Sequence, residues 1–85
     1  MATEFSPEEL ERISDIRRLL MSGAAKRVRE SAHIRRSEVS RCVPCHPSAL
    51  MRWEEGQRTP RPEVALRLAD AYGQLLAVAI SEEGR

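Results

Sequence analysis

Aromatic residues are nearly absent, with one Phe, one Trp and one Tyr in 85 residues. A core built without them falls to Leu, Ile, Val and Ala, and a chain this short has room for one modest core and one domain. Lysine is scarcer still. Of 14 basic residues only Lys26 is a lysine; the arginine bias points to a GC-rich bacterial or phage genome and says nothing of mechanism. Two cysteines and no signal segment argue against a disulfide scaffold. No apolar run approaches membrane-spanning length, and Met1-Ala2-Thr3-Glu4 carries no basic or apolar signal. The expectation is a cytoplasmic protein with no membrane partner. Repeats, low-complexity tracts and internal linkers are missing, as is the period-two alternation of a strand. So are a paired acid and base or a phosphate-cradling loop, so no enzyme and no cofactor are expected.

Charge is plentiful, but its near-zero balance of +1 hides segregation. Residues 1–16 set Glu4, Glu8, Glu9, Glu11 and Asp15 against Arg12. Residues 17–61 set eleven basic groups against Glu30, Glu38, Glu54 and Glu55. Residues 62–85 return to net negative. A basic middle between acidic ends is how a nucleic-acid footprint looks in sequence, and also how a solvated arginine-rich surface looks.

Helix signals dominate. Ser6-Pro7-Glu8-Glu9 supplies a cap, a first-turn proline and first-turn acids, and Ser6 with Glu9 fits a capping box. The stripe Leu10, Ile13, Ile16, Leu20 follows at helical spacing. Ser22-Gly23 marks a break. Ala24, Ala25, Val28 and Ala32 predict a second helix over 23–32, and Val39 and Val43 a third over 36–43, stopped by Pro44. Pro47 opens a fourth helix with Ala49, Leu50 and Trp53 inward, and Gly56 ends it. Arg58-Thr59-Pro60-Arg61-Pro62 reads as an extended connector. Pro62 opens a fifth helix with Val64, Ala65, Leu68, Ala71 and Tyr72 as its core face. Gly73 is an expected end or kink, with Leu75 to Ile80 a sixth short helix or a continuation. Ser81 to Arg85 are expected to fray.

The most specific segment runs without gaps from Ile34-Arg35-Arg36-Ser37-Glu38-Val39-Ser40, through Arg41-Cys42-Val43-Pro44-Cys45-His46, to Pro47-Ser48-Ala49-Leu50-Met51-Arg52-Trp53-Glu54-Glu55-Gly56-Gln57-Arg58-Thr59-Pro60. This segment resembles the helix-turn-helix family of phage repressors and Cro-like proteins, the Xre type. Arg52-Trp53-Glu54 through Thr59-Pro60 is its closest part, and Gly23 to Glu30 resembles that family's first helix. The resemblance implies an all-α bundle of five to six short helices, lambda-repressor-like. Residues 6–22 would form an added N-terminal helix, 23–72 the Xre-type core and 73–85 a C-terminal extension. It further implies a sequence-specific regulator of transcription, a repressor, that places helix 47–55 in the major groove of double-stranded DNA. Two departures stand out. Pro44 sits in a turn where the family usually has a left-handed glycine, which proline cannot imitate. His33 stands where glycine often ends the first family helix.

Val39, Val43, Leu50 and Trp53 are the apolar contacts that would fix the crossing of the two helices, and Trp53 is assigned to the core rather than to base stacking. The outer face of the fourth helix leaves His46, Pro47, Ser48, Met51 and Arg52 for base edges; arginine suits guanine O6 and N7. By resemblance, Arg36 contacts phosphate, with Arg35 and Arg58 as further backbone contacts, and Arg29 pairs with Glu54 inside the domain. Arg17 and Arg18 read as a solvated face.

Cys42, Cys45 and His46 spell C-x-x-C-H. Haem attachment would need export. As zinc ligands they give three donors, with His33 a conceivable fourth; the default is two reduced structural thiols and no metal. The rival class is a protein-interaction module, such as an antitoxin that binds a toxin and its own operator, or a phage accessory factor. A homodimer is expected, because one recognition helix reads few base pairs. Its interface would come from Leu75, Leu76, Val78 and Ile80, or from the N-terminal helix with Leu10, Ile13, Ile16 and Leu20.

Overall fold

The computed structural model describes residues 4–83. It holds five helices and, among those residues, no strand: α1 (Pro7–Ser22), α2 (Ala24–Ser31), α3 (Arg36–Cys42), α4 (Pro47–Glu54) and α5 (Pro62–Glu83). The fold is an all-α bundle. The expectations for Met1 to Thr3 and for Gly84 and Arg85 lie outside the described residues. Ser81 to Glu83 are still helical.

Each boundary has a local cause. Ser6 and Glu9 close a reciprocal capping box, the Ser6 Oγ accepting from the Glu9 N–H at 3.1 Å and the Glu9 carboxylate from the Ser6 N–H at 2.9 Å. Gly23, at φ 85, ends α1 and opens α2 in a single left-handed residue. His33 takes φ 60 and ends the α2 segment where glycine would sit without strain. Glu38 caps α3 by accepting from the Arg35 N–H at 2.9 Å.

Between α3 and α4 the turn contains no left-handed residue. Val43 is extended, at φ −108 and ψ 117, the conformation that a following proline enforces. Pro44 therefore reshapes the turn rather than straining it.

Ile13, Ile16 and Leu20 of α1 join Ala25, Val39, Val43, Leu50, Ala65, Leu68 and Tyr72 in one buried cluster. Leu20, Leu50 and Leu68 have no exposed surface, and each such side chain contributes about 1.5–3 kcal/mol of burial. Ile13, Ile16 and Leu20 of the α1 stripe are thus used within the chain, whereas its first member Leu10 is exposed, as are Leu19 and Met21 of the same helix.

Helix α5 passes through Gly73 without a break, so the C-terminal apolar stretch continues the fifth helix, and the described residues hold no sixth. Continuity also corrects the estimate of apolar length. Pro62–Ser81 spans 20 residues at a mean hydropathy of 1.3, long and apolar enough by those two measures to cross a membrane. Its inner face nevertheless supplies Ala65, Leu68, Tyr72 and Ala79 to the core, and Arg67 and Asp70 interrupt its outer face.

Candidate nucleic-acid interface

A short helix can present one face to a ligand only if its other face is fixed, and α4 is fixed by charge as well as by Leu50. The Glu54 carboxylate, 2% exposed, accepts four hydrogen bonds. Two come from Arg29, through Nε at 2.8 Å and Nη2 at 3.0 Å. A third comes from Arg36 Nε at 2.8 Å and a fourth from the Tyr72 hydroxyl at 2.5 Å. Arg29 also donates to the Ile34 carbonyl at 2.9 Å. One carboxylate at the end of α4 therefore ties together α2, α3 and α5.

Burial alone pushes the Glu54 carboxyl up, but the hydrogen bonds from Arg29, Tyr72 and Arg36 outweigh it and hold the group below its usual range. Burial and the Glu54 charge push the Tyr72 phenol well up, so it stays a donor. Among the described residues, no buried side-chain polar atom lacks a partner.

The pairing of Arg29 with Glu54 was legible in the motif; the other two partners were not. Arg36, assigned to phosphate from the sequence, has its Nε on Glu54 and Nη2 at 3.7 Å from Glu55, with 30% of its side chain exposed. Its charge is thus engaged by two carboxylates and its side chain only partly exposed. Arg35, whose side chain lies 3.5 Å from Glu38, and Arg58 are exposed.

His46 at the start of α4 and Pro47, Ser48, Met51 and Arg52 along it are all exposed. His46 has a second role that its sequence position did not reveal. It is the N-cap of α4: its Nδ1 accepts from the Ser48 N–H at 3.2 Å and lies 2.8 Å from Ser48 Oγ. An accepting Nδ1 places the proton of the neutral ring on Nε2, which is left as an outward donor.

Trp53 is only half-buried. One side packs on the core, and the other lines a shallow groove with Cys45, His46, Arg58, Pro60 and Arg61.

Two contacts from α1 hold the exit of α4. Arg17, expected to be solvated, donates Nε and Nη2 to the Pro60 carbonyl at 3.3 and 2.9 Å. Pro60 itself is buried. Gly56, at φ 76, lies so close to α1 that a Cβ there would stand 3.3 Å from the Met21 carbonyl oxygen. The connector 57–61, which carries Arg58, is thereby held at both ends.

Cys42 and Cys45 do not form one site. Cys42 is exposed beside Arg67 and Asp70, whereas Cys45 is half-buried beside Trp53. Burial pushes the Cys45 thiol up, away from an activated thiolate. Among the described residues, no three His, Cys, Asp or Glu side chains come together to hold a metal ion.

With two helices crossed over a buried carboxylate and a polar face turned outward, the comparison with known families is decisive. Residues 21–78 match the helix-turn-helix domain model. The chain belongs to the helix-turn-helix family. No curated protein and no solved structure matches it. The family match of this helix-turn-helix protein covers α2, α3, α4 and most of α5, and leaves α1 up to Leu20 outside.

Proposed function

We propose that this chain is a sequence-specific regulator that binds double-stranded DNA, of the phage-repressor and Cro-like kind, acting as a repressor in the cytoplasm. Helix α4 enters the major groove with His46, Pro47, Ser48, Met51 and Arg52 toward the base edges. Arg35, Arg58 and the partly exposed Arg36 lie against phosphates. One observation carries this reading. The outer face of α4 is exposed, with the polar His46 and Ser48 and the cationic Arg52 set around Pro47 and Met51, while its inner face is locked by Leu50 and the Glu54 cluster. That arrangement pre-organises a reading surface on a rigid element. Because one such helix reads only a few base pairs, two copies on a palindromic site complete the reading.

Selection of bound duplexes from random DNA at a stated salt concentration tests it. A symmetric consensus is expected, with affinity falling steeply as salt rises. On the selected site Arg52→Ala is expected to cost about 1–3 kcal/mol and on random DNA little. A flat salt titration would sink the reading, and equal losses on both DNAs would move Arg52 to the backbone.

A further inference from the structure

Helix α4 ends in two neighbouring carboxylates with opposite surroundings. Glu54 is buried, its hydrogen bonds supplied by Arg29, Arg36 and Tyr72. Glu55, the C-cap of α4, leaves 41% of its side chain in solvent. Its Oε2 lies 3.4 Å from Lys26 Nζ and 3.7 Å from Arg36 Nη2. A single oxygen thus stands between a cation from α2 and a cation from α3, both partly exposed.

Nothing local calls for an acid at residue 55. Negative charge is disfavoured at a helix C-terminus, where the carbonyl ends of the backbone dipoles gather. Neither contact is tight, since both distances exceed the roughly 2.7–2.9 Å of a close charge-assisted hydrogen bond. Partly exposed pairs of this kind add little to stability. What Glu55 does change is the charge on offer. Arg36 spends its Nε on Glu54, and Glu55 is the anion beside its Nη2. The ammonium of Lys26, the one lysine among 14 basic residues, is held by the same oxygen.

We propose that Glu55 is a displaceable counter-ion that holds down the affinity of this interface for the DNA backbone. The inference rests on the DNA reading proposed above and adds to it a residue that restrains binding. A phosphate in contact with Arg36 Nη2 stands within a Debye length of the Glu55 carboxylate, about 8 Å at physiological salt, so the two anions repel with little screening. To bind, the phosphate must draw Arg36 and Lys26 away from Glu55. That opposition is the same for every base sequence. It subtracts from random and selected DNA alike, which keeps the chain from being held on bulk DNA and leaves the choice of site to Ser48, Met51 and Arg52.

The test is duplex binding by the full chain as a function of salt, on a selected site and on random DNA, with melting temperature followed in parallel. Glu55→Gln is expected to fold as the wild type does, because the side chain is partly exposed and no buried group loses a partner. It is expected to bind both DNAs more tightly, by about eightfold at about 0.1 M salt for one more phosphate neutralised. The gain fades toward about 1 M salt, with the slope of log affinity on log salt steeper by about 0.9. On a background of Lys26→Gln with Arg36→Gln the same change is expected to give no gain, since no cation remains to be released. Arg36→Gln also takes a hydrogen bond from Glu54, so Lys26→Gln alone is the second background, and there the gain is expected to shrink. An unchanged or weaker Glu55→Gln, a gain confined to the selected site, or a gain undiminished in these backgrounds overturns the counter-ion role and leaves the DNA reading standing. A wild type that binds no duplex at any salt overturns the DNA reading and this inference with it.

Discussion

Removing the Glu54 carboxylate is the sharpest perturbation available. Glu54→Ala deletes the acceptor of four hydrogen bonds. It strands the Arg29 guanidinium, 6% exposed, with only the Ile34 carbonyl, and leaves the buried Tyr72 hydroxyl without a partner. Breaking a buried ion pair from one side costs about 3–5 kcal/mol, because the other charge stays buried. A domain of this size has a total stability of about 4–13 kcal/mol. The loss is therefore more than about a fifth of the total at the least. It corresponds to a fall in Tm of at least about 12 °C, at about 4–8 °C per kcal/mol for a small domain. Thermal and urea unfolding followed by circular dichroism measure it. Arg29→Met combined with Glu54→Leu supplies the control. With both charges gone, the pair is expected to be more stable than Glu54→Ala alone, even though Arg36 and Tyr72 lose their acceptor. If Glu54→Ala melts within 3 °C of the wild type, an effect below about 1 kcal/mol, the carboxylate is not the tie between α2, α3, α4 and α5.

Acid should act through the same group. The folded Glu54 carboxyl titrates below its unfolded value, so the unfolded chain binds more protons in that interval. Stability is full above about pH 4.3, the ordinary glutamate value, and is lost as pH falls through the lower folded one; Glu54→Gln is expected to flatten that limb, and an unchanged acid profile would assign it elsewhere. At His33, held at φ 60, His33→Gly is expected to raise stability by about 0.5–1 kcal/mol, the left-handed strain relieved less the entropy glycine adds, readable as a few degrees in Tm. Gly56→Ala should do the reverse, since it adds a Cβ at φ 76 close against the Met21 carbonyl. For Arg17→Met, faster amide exchange at residues 57–61 with α3 unaffected is the expected result; uniform exchange across the chain would show that the Pro60 contact is not what holds the connector.

How far the sequence carried depends on whether the signal was local. Ser6 to Glu9, Pro47 and Gly56 act on their own neighbours, and the helix ends fall where their chemistry requires. Gly73 misled because its local cost, about 1 kcal/mol, is smaller than what Leu68, Tyr72 and Ala79 gain by lying along one unbroken helix. The fourfold ligation of Glu54 was half visible. Arg29 follows from the motif, whereas Tyr72 and Arg36, each 18 positions from Glu54, reach it only in the folded chain. Arg17 is the extreme case. Its acceptor is a backbone carbonyl 43 residues away, and no side chain in the sequence announces a carbonyl. On α4, helical spacing was enough to separate Leu50 from Ser48, Met51 and Arg52, while the inward place of Glu54 came from the resemblance that pairs it with Arg29. His46 as a cap was missed because histidine seldom fills that position.

The grip of α1 on the exit of α4 bears on what counts as a transferable module. A fragment cut at the start of the family match would carry all of α4. It would lack Ile13, Ile16 and Leu20, and would leave Leu50 and Leu68 facing water where those side chains had packed. The carbonyl of Pro60 would lose its cation. The packed body that holds α4 therefore begins at the Ser6 cap, well ahead of the segment by which its kinship is recognised, and grafting α4 in its present setting onto another scaffold means taking the first helix with it.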